Sequence, residues 1–259
     1  ISRLVPSFTS TINGIAQASV TTTSISASAP HMVPLMSPVA LSGFSPRAQE
    51  FLGEYLRKFG LSVDSGATGA LDPSLALLPA PKGQAARNHS QKASAVLSNQ
   101  ERVNKDKPIQ PGSALAIMLS TGDFPISATG TATACFGGNV IGFGHPFLQA
   151  GCVDFPMASA YVHQVLPCIS ASVKVASPVK VVGSIVSDRP WSVGGQIAKS
   201  SKLIPVTYTV KDETRNVKRA YHCNVVDHPD LTPELLAATA MSAIDATHQS
   251  TGPYVVKLD

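Results

Sequence analysis

The period of the apolar positions changes several times along this chain. Over the first 42 residues Ser, Thr, Ala and Val dominate and alternate, as in Val20, Thr22 and Ser24 against Thr21, Thr23 and Ile25. That pattern predicts extended β structure, broken at Pro30, Pro34 and Pro38, because each proline removes a ladder donor. A helical period follows. Ser45 is placed to cap a helix, Pro46 suits its first turn, and Ala48, Phe51, Leu52, Tyr55, Leu56 and Phe59 recur at helical spacing until Gly60 offers a left-handed stop. The stripe has to dock on a sheet.

From 65 to 111 the pattern dissolves into Gly, Ala, Pro, Ser, Asn and Gln with Lys82, Arg87, Lys92, Arg102, Lys105 and Lys107, the composition of a polar basic loop. Too few apolar side chains stand here to offset the entropy of ordering, so an ordered arrangement would have to be pinned by a partner surface or by the rest of the domain. Strand signals then dominate. Residues 114–119 form a short buried run, and 126–135 alternate up to a turn at Gly137, Gly138 and Asn139, after which 140–143 return as a hairpin partner. Over 203–210, Ile204, Val206, Tyr208 and Val210 share one face, and past a polar turn Val217, Tyr221, Cys223 and Val225 continue the alternation. Between the hairpins, 157–166 reads as a short helix ended by Pro167, which puts His163 on a helix. Near the end, Thr232 is placed to cap a helix with Pro233 at its first position and a stripe of Leu236, Ala240, Ala243, Ile244 and Thr247.

The sum is an α+β fold, mainly antiparallel β-sheet in a sandwich or barrel-like arrangement with two or three covering helices. The segments divide into an N-terminal extended arm (1–43), a helix and connection (44–64), a polar basic loop (65–111) and a β-rich domain (112–259).

Composition narrows the classes. The 259 residues are 44% hydrophobic and 14% charged, the reverse of a disordered chain. A chain of this length buries enough surface to fold without disulfides or metal. Apolar runs stop far short of the roughly 18 residues a membrane-crossing helix needs. The formal charge of +4 is small and scattered, which argues against a nucleic-acid face. Cys135, Cys152, Cys168 and Cys223 stand 17, 16 and 55 residues apart, without the close pair that grips zinc. With so few charges they fit an extracytoplasmic chain carrying up to two disulfides in any of three connectivities, or else four buried thiols.

Candidate chemistry concentrates in two places. Gly142-Phe143-Gly144-His145-Pro146-Phe147 leaves a strand, turns sharply and presents an imidazole, with Pro146 pushing His145 into extended conformation; His145 is the candidate general base. Downstream, Asp188 beside Arg189 and the single Trp191 offers an acidic partner for a histidine or a solvated turn pair. Ser113 and Ser184 follow glycines but lie at or inside strand patterns, unlike an exposed strand-to-helix elbow. His145, His163 and Asp154 have no spacing that fixes a metal, and nothing calls for a cofactor. His31, His89, His222, His228 and His248 fall in a strand or near turns and ends. Asn88-His89-Ser90 matches a glycosylation acceptor.

Together these segments resemble the SpoIVB-type serine peptidases, a family mainly of bacterial proteins. The resemblance rests on Pro111-Gly112-Ser113-Ala114, Thr129-Gly130-Thr131, the Gly142–Phe147 string, Gly151 with Val153-Asp154-Phe155-Pro156-Met157, Val165-Leu166-Pro167, and Val182-Gly183-Ser184-Ile185 followed by Asp188-Arg189. Ile204-Pro205-Val206 and His228-Pro229 with Leu231-Thr232-Pro233 extend it toward the large extracytoplasmic members. It runs from about residue 44 to the end, outside the polar loop. It implies a serine endopeptidase in which an imidazole, matched by His145, takes the proton of an attacking serine hydroxyl. The family's nucleophile lies in a Gly-Met-Ser-Gly-Ser-Pro motif that does not occur here and that stands upstream in the large relatives.

The expectation is therefore a peptidase-like domain, a processed fragment whose nucleophile comes from an upstream segment of the same precursor and whose substrate is a peptide. The alternative is a non-catalytic, secreted or cell-surface structural subunit that associates with copies of itself through β-strand arms.

Overall fold

The computed structural model describes residues 36–64, 108–166, 173–248 and 255–257. They belong to one compact unit, Leu35–Asp259. The predicted breaks at Pro30 and Pro34, the loop positions up to 107 and the Asn88 acceptor lie outside the described residues.

Ten strands and two helices are described: β1 (Ser37–Leu41), α1 (Pro46–Arg57), β2 (Leu61–Asp64), β3 (Ala114–Gly122), β4 (Ile126–Phe136), β5 (Asn139–Gly142), β6 (Gly151–Leu166), β7 (Val173–Arg189), β8 (Ser192–Ile197), β9 (Leu203–Asp212), β10 (Val217–Val226) and α2 (Thr232–Thr247). The expected α+β class with a mainly antiparallel sheet is what the chain forms. Pro38 lies inside β1 rather than breaking it.

The pairing closes on itself. β3 pairs β4, β4 pairs β5, β5 pairs β8, β8 pairs β7, β7 pairs β6, and β6 returns to β3, every pair antiparallel. This is a six-stranded barrel. Two wings leave it: β1 joins β4 and carries β2 in parallel, while β10 joins the end of β3 and carries β9. The strand period of two sorts β3 cleanly. Leu115, Ile117 and Leu119 enter the main core, and Ala116 and Met118 on the other face join Ala158 in a small separate cluster.

Helix α1 follows its sequence signals. Ser45 Oγ accepts from Ala48 N at 3.3 Å, and Ala48, Leu52 and Leu56 are buried. The same hydroxyl donates to Asp245 Oδ2 at 2.7 Å and Arg47 pairs with Asp245 at 2.9 Å, so the start of α1 is tied to the end of α2. Tyr55 donates to the Asp230 carbonyl.

Two expectations need correction. Residues 157–166 are not a helix but the second half of β6, so His163 stands on a strand. Irregularities at Met157/Ala158, Ser159/Ala160 and Val162/Gln164 interrupt the period of two, and the long ladder with β7 overrides the helical preference of Met, Ala and Gln. Second, α2 buries only Ala243 and Thr247 of the predicted stripe and turns neighbouring positions inward beside them. Thr232 Oγ1 donates to the Val226 carbonyl and accepts from His228 N instead of capping the helix, whose cap position is Leu231. Leu235, Ala238, Thr239, Ser242, Ala243 and Thr247 are buried, while Leu236, Ala240 and Ile244 are only half-buried. The hydroxyls of Thr239, Ser242 and Thr247 donate to the carbonyls of Leu235, Ala238 and Ala243 four residues back, which allows polar side chains on the inward face.

Candidate active site

Residues 143–150 link β5 to β6. In the sheet these strands are separated by β8 and β7, so the link crosses the end of the β7–β8 hairpin. Phe143 opens it in the left-handed region at φ 70°, a conformation unusual for a bulky residue. Two contacts hold it there. Its N–H donates to the Thr131 carbonyl at 2.9 Å, and its ring lies flat against Gly130, where a Cβ would come within 2.7 Å of Phe143 Cγ. Phe147 then drops into the core, edge-on to Phe155 at 6.4 Å between ring centres.

Asp188 fixes the other half of the link. The residue is 1% exposed, and its carboxylate accepts from Phe147 N at 2.8 Å, Leu148 N at 2.6 Å and Ala150 N at 3.3 Å. Three backbone donors of the link, the buried Phe147 N–H among them, converge on one side chain. Asp188 thus holds the backbone that carries His145; no bond runs from its carboxylate to the imidazole. The carboxylate offered either as an acidic partner for a histidine or as half of a solvated turn pair is instead buried against the loop backbone.

His145 itself is exposed, its ring edge-on to Phe143 at 5.7 Å. Nδ1 lies 2.8 Å from the Pro146 carbonyl oxygen. A carbonyl only accepts, so the bond requires a proton on Nδ1 and leaves the lone pair on Nε2. That is the tautomer a general base needs, set here by a backbone carbonyl where catalytic triads use a carboxylate.

The serines behave as strand and turn residues. Ser113 sits in the turn before β3 and accepts from Gln110 N at 3.1 Å. Ser184 is fully buried in β7, donating to Asp154 Oδ1 at 2.7 Å. Asp154 also accepts from Lys202 N at 2.8 Å. Burial would raise the Asp154 carboxyl, but the Lys202 N–H, the Ser184 hydroxyl and the nearby Lys199 charge outweigh it and hold the group below the usual carboxylate range. Asp154 and His163 stand on one strand nine residues apart, about 30 Å, so the structure does not bring them together.

One serine–imidazole contact went unread in the sequence. Ser177 Oγ on β7 lies 2.8 Å from His163 Nε2 on β6, with Ser177 only 4% exposed. A helix over 157–166 would not form it; the strand pairing places Tyr161 opposite Ser177 and so His163 within reach of its hydroxyl.

The cysteines correct the disulfide framework. Cys135, Cys152 and Cys223 carry free thiols, and any two-bridge connectivity would have to join two of these three; Cys168 lies outside the described residues. Cys223 is buried, which pushes its thiol up to about 11. Among the described residues no group of three metal-ligating side chains gathers, and no helix is long and apolar enough to cross a membrane. No family model, curated protein or solved structure matches the chain.

Proposed function

We propose that this chain is the base-bearing part of a SpoIVB-type serine endopeptidase, acting with a serine hydroxyl supplied from a precursor segment outside these 259 residues. The observation that carries the reading is the His145 geometry: an exposed imidazole whose Nδ1 lies 2.8 Å from the Pro146 carbonyl oxygen, on a loop fixed by Asp188 and Gly130. In the reaction, Nε2 would take the serine proton as the hydroxyl attacks the peptide carbonyl, then return it to the leaving amine. The resemblance of the Gly142–Phe147 and Asp154–Met157 strings to that family supports the same assignment, and an extracytoplasmic setting belongs to the proposal with it.

A fluorophosphonate probe tests it on the precursor that includes the upstream segment. Labelling of a serine in that segment, reduced at least 100-fold by His145→Ala, is expected. Equal labelling in the variant overturns the role of His145. Labelling of residues 1–259 alone, lost with Ser177→Ala, would transfer the chemistry to the Ser177–His163 pair.

A further inference from the structure

The rim that carries His145 also carries an unusual exposed pair. The two-residue tip of the β7–β8 hairpin, Pro190 and Trp191, follows Arg189, which pairs with Ser192 in the ladder. Gly142 pairs with Val193 and Gly151 with Asp188, so the tip emerges at the same end of the barrel as the two ends of the 143–150 loop. Trp191 is 83% exposed, the most exposed aromatic side chain among the described residues. Beside it the Arg189 guanidinium makes one contact, to Cys152 Sγ at 4.0 Å, and no carboxylate among the described residues pairs with it. The neighbouring Asp188 carboxylate is already engaged by three loop N–H groups. An exposed indole two residues from a guanidinium that no carboxylate among the described residues pairs has the composition of an interface anchor, where Trp and Arg are enriched.

We infer that this rim docks a peptide segment bearing a carboxylate next to a large apolar side chain, with Arg189 taking the carboxylate in a bidentate pair and Trp191 covering the apolar group. The acidic character follows from the Arg189 guanidinium, which no carboxylate among the described residues pairs, and the place follows from continuity with the His145 loop. The inference rests on the proposed peptidase reading for its biological sense, though not for its test. It gives that site a substrate preference: an acidic-apolar pair near the bond presented to His145.

Trp191 is the sole tryptophan of the chain, so its emission under selective excitation reports on this rim alone. The full chain is titrated with the blocked peptide acetyl-Gly-Glu-Phe-Gly-Ala-amide, and with the same peptide carrying Gln for Glu. Expected are a saturable blue shift with a sub-millimolar Kd, at least tenfold weaker binding of the Gln peptide, and loss of that difference in Arg189→Gln. Calorimetry of Trp191→Ala, with circular dichroism to confirm folding, should show a further loss of at least tenfold. No binding, or equal affinity for the two peptides, overturns the inference. So does a peptide-independent shift that grows with protein concentration, which would give the rim to a second copy. Failure here with His145-dependent labelling of the precursor leaves the peptidase reading standing, and binding here without such labelling leaves the docking rim alone.

Discussion

At the residue scale, Asp188 and Asp154 show two ways a carboxylate on the barrel's strands can serve a structure. Asp188 gathers three backbone donors of the loop that displays His145. Asp188→Ala leaves the buried Phe147 N–H unpaired and hands those of Leu148 and Ala150 to water, and a loss of about 2 kcal/mol in urea unfolding is expected, with faster hydrogen exchange at residues 147–150. An unchanged exchange rate there would mean the loop is held by its aromatic contacts. Asp154 is tied to Ser184 and Lys202, and its carboxyl is held below the ordinary value in the fold. The sign follows from linkage: a depressed carboxyl stabilises the fold above the unfolded value of about 3.9 and loses that contribution as pH falls through the folded value. Asp154→Asn is therefore expected to melt below wild type at pH 7, with the gap closing as the pH drops below about 4. A gap independent of pH would place the effect of the substitution in shape rather than charge.

At the scale of elements, the 143–150 loop depends on β4. Gly130 on β4 makes room for the Phe143 ring, and Phe143 sets the entry into the loop. Gly130→Ala should displace that ring and cost roughly 1–3 kcal/mol by overpacking. The same variant should broaden the backbone resonances of residues 143–147 while leaving those of α1 and α2 in place. This packing also marks what was legible in the sequence. The β4–β5 and β9–β10 hairpins, and α1 with its Ser45 cap, each advertise themselves through a clean period and a turn or cap residue. The second half of β6 does not, because three irregularities erase its period over 157–166 and leave a string that reads as helix. The inward face of α2 departs in part from the predicted stripe for a different reason: buried Thr and Ser satisfy themselves on their own helix, and no apolar pattern records that.

For the whole molecule, closure of the barrel depends on close backbone approach where β7 meets β8. At Gly183 a Cβ would run into the Gln196 carbonyl and within 2.9 Å of Ile197 Cα, which are backbone atoms that cannot step aside. At Gly195 the nearest neighbours are the ends of the Met157 and Ile185 side chains, which can rotate. Thermal melts should therefore rank Gly183→Ala as much the more damaging substitution, with Gly195→Ala costing about 1–3 kcal/mol; the reverse order would contradict the barrel pairing of β7 with β8. The closed barrel brings His145, Asp188 and Trp191 to one end, although 45 residues of chain lie between His145 and Trp191. The sequence singled out each of these positions. It could not reveal that Asp188 serves the loop backbone, because donors on main-chain nitrogens leave no trace in residue types.

The proposed role of His145 as a base requires its lone pair to sit on Nε2. Long-range 15N–1H correlation spectra of histidine-labelled protein, at a pH where the imidazole is neutral, read that directly. The prediction is the Nδ1–H tautomer for His145, with a protonated-type shift at Nδ1 and an unprotonated one at Nε2, both collapsing to a tautomer average when Asp188→Ala frees the loop. An Nε2–H tautomer in the wild-type protein would contradict it.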